Sequence, residues 1–334
     1  MGSLSRYFSI LEGQSRPRFH SVKDFRIDFD PTAEPEDLWN LHGRAMEQMK
    51  AGKSGKGGMN LLDLKIALAG RMMDSCTLCE RRCGADRNAG KRGKCNVLEA
   101  RITSEFMHYG EEPELVPSYT IFFSGCTFEC VYCQNYDISQ YASVGEHYPA
   151  SVVVEMIDRR KSARNVNWVG GDPTSNLGFI LEVLAHSDAR LPQVWNSNMY
   201  LTPESMKLLD GIVDVYLTDF KYGNNDCARR LSKAERYWEI ITRNHRLARQ
   251  QSEVMIRHLV LPNHVECCSK PVLNWIASNL ENVRVNIMAQ YRPMYQAAEY
   301  PEIKGPLGTL EFMEARGHAL ALGLELVECK SSVF

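Results

Sequence analysis

From Tyr119 onward the chain alternates between short β-branched or aromatic runs and longer stretches that are apolar at helical spacing. The short runs predict strands at Tyr119–Phe123, Val166–Val169, Gln193–Trp195, Val213–Leu217, Val254–Leu261 and Val283–Ala289. Between and after them, the longer period predicts helices near Ala150–Arg160, Asn176–His186, Pro203–Asp210, Asp226–Arg249, Ser269–Leu280 and Leu310–Leu322. Six β–α units in succession imply an α/β fold, a parallel sheet covered by helices, as an open or closed barrel. Barrels of this kind collect their chemistry at the C-terminal ends of the strands. Polar segments fall there one after another: SGCTFECVYCQN after the first strand, VGGDP after the second, NSN after the third, TDFK after the fourth, and RHLVLPNH across the fifth.

Upstream of Tyr119 the pattern changes. Pro35–Met49 reads as an amphipathic helix with Pro in its first position, AGKSGKGGMN as a flexible linker, and Asn60–Met73 as a second helix. The expected organisation is an N-terminal extension and linker over 1–60, a cysteine-rich metal-binding segment over 61–115, and the barrel over 116–330.

Composition narrows the function. The 334 residues carry a formal net charge of −2, which argues against a general binder of nucleic acid or anionic membrane. No apolar run approaches the ~20 residues of a membrane helix. The N-terminal MGSLSRYFSI lacks a signal-peptide core and has Arg6 where a myristoylation signal takes Ser or Thr. A cytoplasmic location is expected. Eleven cysteines in a reducing compartment point to metal or redox chemistry, not to disulfides. Seven of them lie between Cys76 and Cys133; Cys227, Cys267, Cys268 and Cys329 read as packing residues.

Cys126, Cys130 and Cys133 are one ligand short of a closed site. A four-iron cluster on three thiolates keeps one iron open to a small molecule. Cys126-x3-Cys130-x2-Cys133, with Tyr132 before the last cysteine, resembles the signature of the radical S-adenosylmethionine (SAM) superfamily. That resemblance implies a partial (β/α)6 barrel, a [4Fe-4S] cluster and SAM. It also implies reductive cleavage of SAM to a 5′-deoxyadenosyl radical, which takes hydrogen from a substrate. Gly170-Gly171-Asp172-Pro173 matches the family's Gly-Gly-Glu-Pro segment, which meets the SAM amino group, with Asp for the commoner Glu. Asp219-Phe220-Lys221 resembles the Asp-Leu-Lys segment of glycyl-radical activating enzymes, whose Lys meets the SAM carboxylate. Tyr132 is a candidate cofactor contact within the motif. Position at the strand ends adds Asn196 and Asn198 for SAM or substrate, and His258, preferred to Arg257 on the opposite face, as the ribose partner. Gln290 and Arg292, after the sixth strand, are candidate substrate contacts.

Cys76-x2-Cys79-x3-Cys83-x11-Cys95 forms a complete four-thiolate set, for zinc or an auxiliary iron–sulfur cluster, with Arg81, Arg82, Arg87, Lys91 and Arg92 offsetting its charge. Its place ahead of the three-cysteine motif, followed by FMHYGEEPE, is similar to a branch described as homologous to pyruvate formate-lyase-activating enzyme. The resemblance spans roughly residues 70–330. An electron donor such as flavodoxin or ferredoxin, and a protein or peptide substrate, are the partners it implies. Two other readings stand beside it: a non-catalytic zinc-stabilised binding module in which His147 completes the three-cysteine site, and a nucleic-acid-modifying enzyme, which the balanced charge weakens.

Overall fold

A computed structural model describes residues 2–328; Cys329 and the barrel's expected last two positions lie outside the described residues. The chain begins with α1 (Ser5–Leu11), α2 (Arg18–Asp24), β1 (Arg26–Ile27), α3 (Pro35–Lys50), β2 (Met59–Asn60) and α4 (Leu61–Asp74). Asn60 starts α4 with a capping box, its side chain accepting from Leu62 and Asp63 N–H while the Asp63 carboxylate accepts from Asn60 N–H. The expected linker is not one. It ends in β2, which pairs antiparallel with β1. Its glycines serve that pairing, since a Cβ at Gly55 would sit 2.1 Å from the Arg26 carbonyl oxygen.

The barrel follows: β3 (Ile102–His108), β4 (Ser118–Phe123), α5 (Tyr136–Ser139), α6 (Ala150–Asp158), β5 (Asn165–Gly170), α7 (Leu177–His186), β6 (Gln193–Ser197), α8 (Pro203–Leu209) and β7 (Val215–Asp219). It continues with α9 (Asn225–Ser232), α10 (Tyr237–Gln251), β8 (Glu253–Leu259), α11 (Lys270–Asn279), β9 (Arg284–Met288), α12 (Thr309–Ala321) and β10 (Glu325–Leu326). One eight-stranded sheet runs β10-β9-β8-β7-β6-β5-β4-β3, parallel from β4 to β10, with β3 antiparallel on the β4 edge. Its central strands are buried on both faces, which is why they read as unbroken apolar runs. The predicted Asp226–Arg249 helix is two helices, because Lys233 and Arg236 adopt left-handed backbone with φ of 53° and 49°.

Residues before Pro35 close the N-terminal end of this barrel. Leu4 and Tyr7 pack with Leu115, Val194, Val215, Leu217 and Met255. The Glu253 carboxylate at the start of β8 accepts the N–H groups of Arg6 and Tyr7, both at 2.8 Å. Asn165, the first residue of β5, donates to the Tyr7 hydroxyl at 2.9 Å. Among the described residues no helix is long and apolar enough to cross a membrane.

Candidate active site at the barrel mouth

The loop leaving β4 carries all three cysteines of the first motif. It turns at Gly125, whose φ is +81° and where a Cβ would meet Val97 at 2.3 Å. Each sulfur has a hydrogen-bonding neighbour. Phe128 N–H donates to Cys126 Sγ at 3.3 Å, Ser232 Oγ to Cys130 Sγ at 2.9 Å, and Ser139 Oγ lies 3.2 Å from Cys133 Sγ. Asn198 Nδ2 adds a longer approach to Cys126 Sγ, at 3.7 Å. Burial, then the Asp172 carboxylate and the other two sulfurs, push the Cys126 thiol well up. Burial above all pushes Cys130 to about 12, against the opposing pull of Lys221. Three crowded thiols, each beside an N–H or O–H donor able to stabilise a bound thiolate, are good cluster ligands, so the residues fit an iron–sulfur centre.

The Ser232 hydroxyl is the end of a longer relay. Tyr132 and Tyr222 hydroxyls are 2.7 Å apart, and Tyr222 reaches Ser232 Oγ at 2.5 Å. Tyr132 thus sends its ring inward, 4% exposed, and supports Cys130 from behind. His147, the candidate fourth ligand of a zinc site, has Nδ1 at 3.0 Å from the Ala100 carbonyl oxygen instead.

The Gly-Gly-Asp segment is placed beside this loop, with an altered rationale. A Cβ at Gly170 would sit 2.1 Å from Phe123 O, and one at Gly171 would sit 2.1 Å from Gly125 O. Close approach is therefore to the cysteine loop's own backbone, into which Gly171 and Asp172 donate through Phe123 and Gly125 carbonyls. Asp172 is buried and bonded internally: Oδ1 accepts from Thr174 N–H, and Oδ2 from Ser197 Oγ and Asn198 N–H, each at 2.9 Å. It braces the β6 exit through these bonds. Asn198 in turn bonds Thr127 Oγ1 at 2.9 Å, while Asn196 is buried one position before the end of β6.

Lys221 and Asp219, at the β7 exit, form an ion pair of 2.8 Å. Burial would lower the Lys221 amine, but Asp219 and the Cys130 and Cys133 sulfurs outweigh it and raise it. His258 is a correction. Its Nδ1 lies 2.7 Å from the Phe220 carbonyl oxygen and its Nε2 2.8 Å from Ser269 Oγ, so no ring nitrogen is left for a ribose. Burial pushes it down to about 4, a neutral core histidine. Arg257 is the member of the pair that reaches a polar cluster, bonding Glu111 and Glu112, with Asn286 donating to Glu112 at 2.8 Å. Gln290 also donates to Glu111, at 3.1 Å, and Arg292 is exposed. Glu112 in the GEEPE stretch went unassigned in the sequence, where two adjacent acids read as surface; only the partner 145 positions away buries it.

The four-cysteine segment lies against the same mouth. Glu80 N–H donates to the Tyr200 carbonyl, Cys79 bridges Leu201, and Arg81 donates to Thr127 O at 2.9 Å. Arg87 is buried and donates to Ser175 O at 2.8 Å. Arg81, Arg82 and Arg87 therefore fasten this segment to the barrel. Burial raises the Cys76 and Cys79 thiols, and each feels the other sulfurs of the group. Cys83, Cys95 and Cys126 line one cavity of about 570 Å³, so the two groups share a wall. A third set of sulfurs, absent from the sequence reading as a site, joins Cys227, Cys267 and Cys268 with His264. Cys227 lies 40 positions before Cys267, too far to read with it as one ligand spacing.

The sequence model of the Radical SAM superfamily matches residues 120–276. The uncharacterized protein MJ0674 of Methanocaldococcus jannaschii is 43% identical, over 97% of this chain and 99% of its own length. MJ0808 of the same organism is 25% identical over 75% of this chain and 79% of its own. Among solved structures, SuiB of Streptococcus suis aligns with a TM-score of 0.47 at 11% identity, covering 62% of this chain and 47% of that one. This chain thus matches about half the length of SuiB. Methylornithine synthase (PylB) aligns with a TM-score of 0.45 at 13% identity, covering 99% and 88%.

Proposed function

We propose, on the premise that this chain belongs to the radical SAM superfamily, that Cys126, Cys130 and Cys133 hold a [4Fe-4S] cluster whose open iron takes SAM. When bound, the two supply a reductive cleavage that delivers a carbon-centred radical able to take hydrogen from a substrate. The observation that carries the reading is the convergence of three thiols, Cys130 buried and Cys126 and Cys133 half-buried, each beside a hydrogen-bond donor, on the exit loop of β4. The chain's own residues then do three things. Phe128, Ser232 and Ser139 stabilise negative charge on the sulfurs; Lys221 presents a cation that Asp219 orients, suited to a carboxylate; Phe123, Phe128 and Tyr132 exclude water from the loop.

The four-cysteine group is proposed as a second metal centre. Two thiolates around one tetrahedral zinc stand about 3.8 Å apart, given a Zn–S bond near 2.3 Å. Cys76, Cys79, Cys83 and Cys95 suit either one zinc or an auxiliary iron–sulfur cluster, and metal analysis with an acid-labile sulfide assay distinguishes the two. A flavodoxin or ferredoxin is the proposed electron donor. Within this chemistry the Asp219-Phe220-Lys221 segment favours the activase subtype, in which the hydrogen comes from a glycine of a partner protein. Anaerobic reconstitution with reductant and SAM is expected to give 5′-deoxyadenosine, and Cys126→Ala to abolish it; persistence in that variant refutes the assignment. A glycyl-radical doublet in a partner's electron paramagnetic resonance (EPR) spectrum tests the subtype.

A further inference from the structure

Cys227 lies in the first turns of α9, His264 follows β8, and Cys267–Cys268 sit in a π turn, Val265–Ser269, that leads into α11. Single π turns recur at functional sites. The ligand atoms of Cys227, His264 and Cys267 all lie within 4.8 Å of one another. Cys227 Sγ is 3.9 Å from Cys267 Sγ, and Cys267 Sγ is 3.9 Å from Cys268 Sγ. Those separations are close to the ~3.8 Å that a tetrahedral ion with 2.3 Å thiolate bonds requires.

The surroundings hold the donors in place. His264 Nδ1 is 2.7 Å from the Pro262 carbonyl oxygen, which fixes the ring and leaves Nε2 for the sulfurs, as metal-bound imidazoles are commonly held. Asn224 accepts from Cys227 N–H at 2.8 Å and donates to the Cys267 carbonyl at 2.9 Å, locking the two segments together. Gly223 lets them approach: a Cβ there would meet Cys267 O at 2.6 Å and Cys268 Cα at 2.9 Å. His264 and Cys268 are buried while Cys267 reaches the surface, so an ion has a way in.

We propose that Cys227, His264 and Cys267 bind a zinc-type divalent cation. Thiolate with imidazole selects zinc over magnesium or calcium, whose ligands are oxygens. The ion joins the β7 exit, which carries Lys221, to the exit of β8. This site is independent of the iron–sulfur chemistry upstream.

The test starts from protein reconstituted with iron and sulfide, so that the seven upstream cysteines are filled, then equilibrated with zinc and desalted. Metal analysis is expected to show that Cys267→Ser and Cys227→Ser each carry one zinc per chain fewer than wild type, with iron content unchanged. Cys267 is at the surface, so its serine variant keeps the fold, checked by its melting curve. A second readout needs no variant: zinc should slow alkylation of Cys267 at least tenfold, followed by peptide mass spectrometry, and a chelator should restore it. Zinc content unchanged in Cys267→Ser, or equal alkylation with and without zinc, overturns the proposal.

Discussion

Replacing Ser232 by alanine tests how the protein tunes its three-cysteine loop. The Ser232 hydroxyl donates to Cys130 Sγ at 2.9 Å from a fully buried position, and its backbone carbonyl separately accepts from Glu129 N–H, a bond the substitution leaves intact. A hydrogen bond to a charged acceptor contributes about 1.5–3 kcal/mol. The reduced cluster carries one more negative charge than the oxidised one, so the donor favours reduction, and we take about 1 kcal/mol as the differential share. At 59 mV per tenfold change for one electron, and about 1.4 kcal/mol per tenfold, that is a fall of about 40 mV in Ser232→Ala. The assay is a redox titration followed by EPR, on protein whose iron content matches wild type. Threonine at the same position should restore most of the loss. A potential that rises, or moves by less than about 10 mV with iron intact, refutes the idea that this hydroxyl acts on Cys130.

Two further outcomes are expected. Lys221→Met removes the cation oriented by Asp219 and should weaken SAM binding about tenfold or more, measured by equilibrium dialysis, with iron content unchanged. Lys65 is fully buried, its amine donating to the Lys207 and Leu208 carbonyls and touching His42 Nε2, and burial pushes it down to about 7 from an ordinary 10.5. Between those values the unfolded chain holds a proton that the folded chain releases, so stability rises with pH. From pH 7 to 8.5 this contributes about 1.5 kcal/mol, which denaturant titration should find in wild type and not in Lys65→Met; identical pH dependence of the two would sink it.

The six barrel strands were legible because a sheet buried on both faces leaves continuous apolar runs, and each begins or ends within a few residues of its expected place. The break between α9 and α10 was hidden, since Lys233 and Arg236 turn the chain in left-handed conformations that ordinarily call for Gly or Asn. At the mouth, the cysteines were readable from their short spacing alone. His258 and Asp172 were not, for what each touches depends on Phe220, Ser269, Ser197 and Asn198 from neighbouring elements. The same distance in sequence hid the Cys227–His264–Cys267 convergence and the seating of α1 on Glu253.

That seating of Leu4 and Tyr7 has a consequence for water. The two side chains stopper the end of the barrel away from the cysteine loop. Without them Val194, Val215, Leu217 and Met255 would meet solvent from below, so the first helix keeps the barrel floor dry.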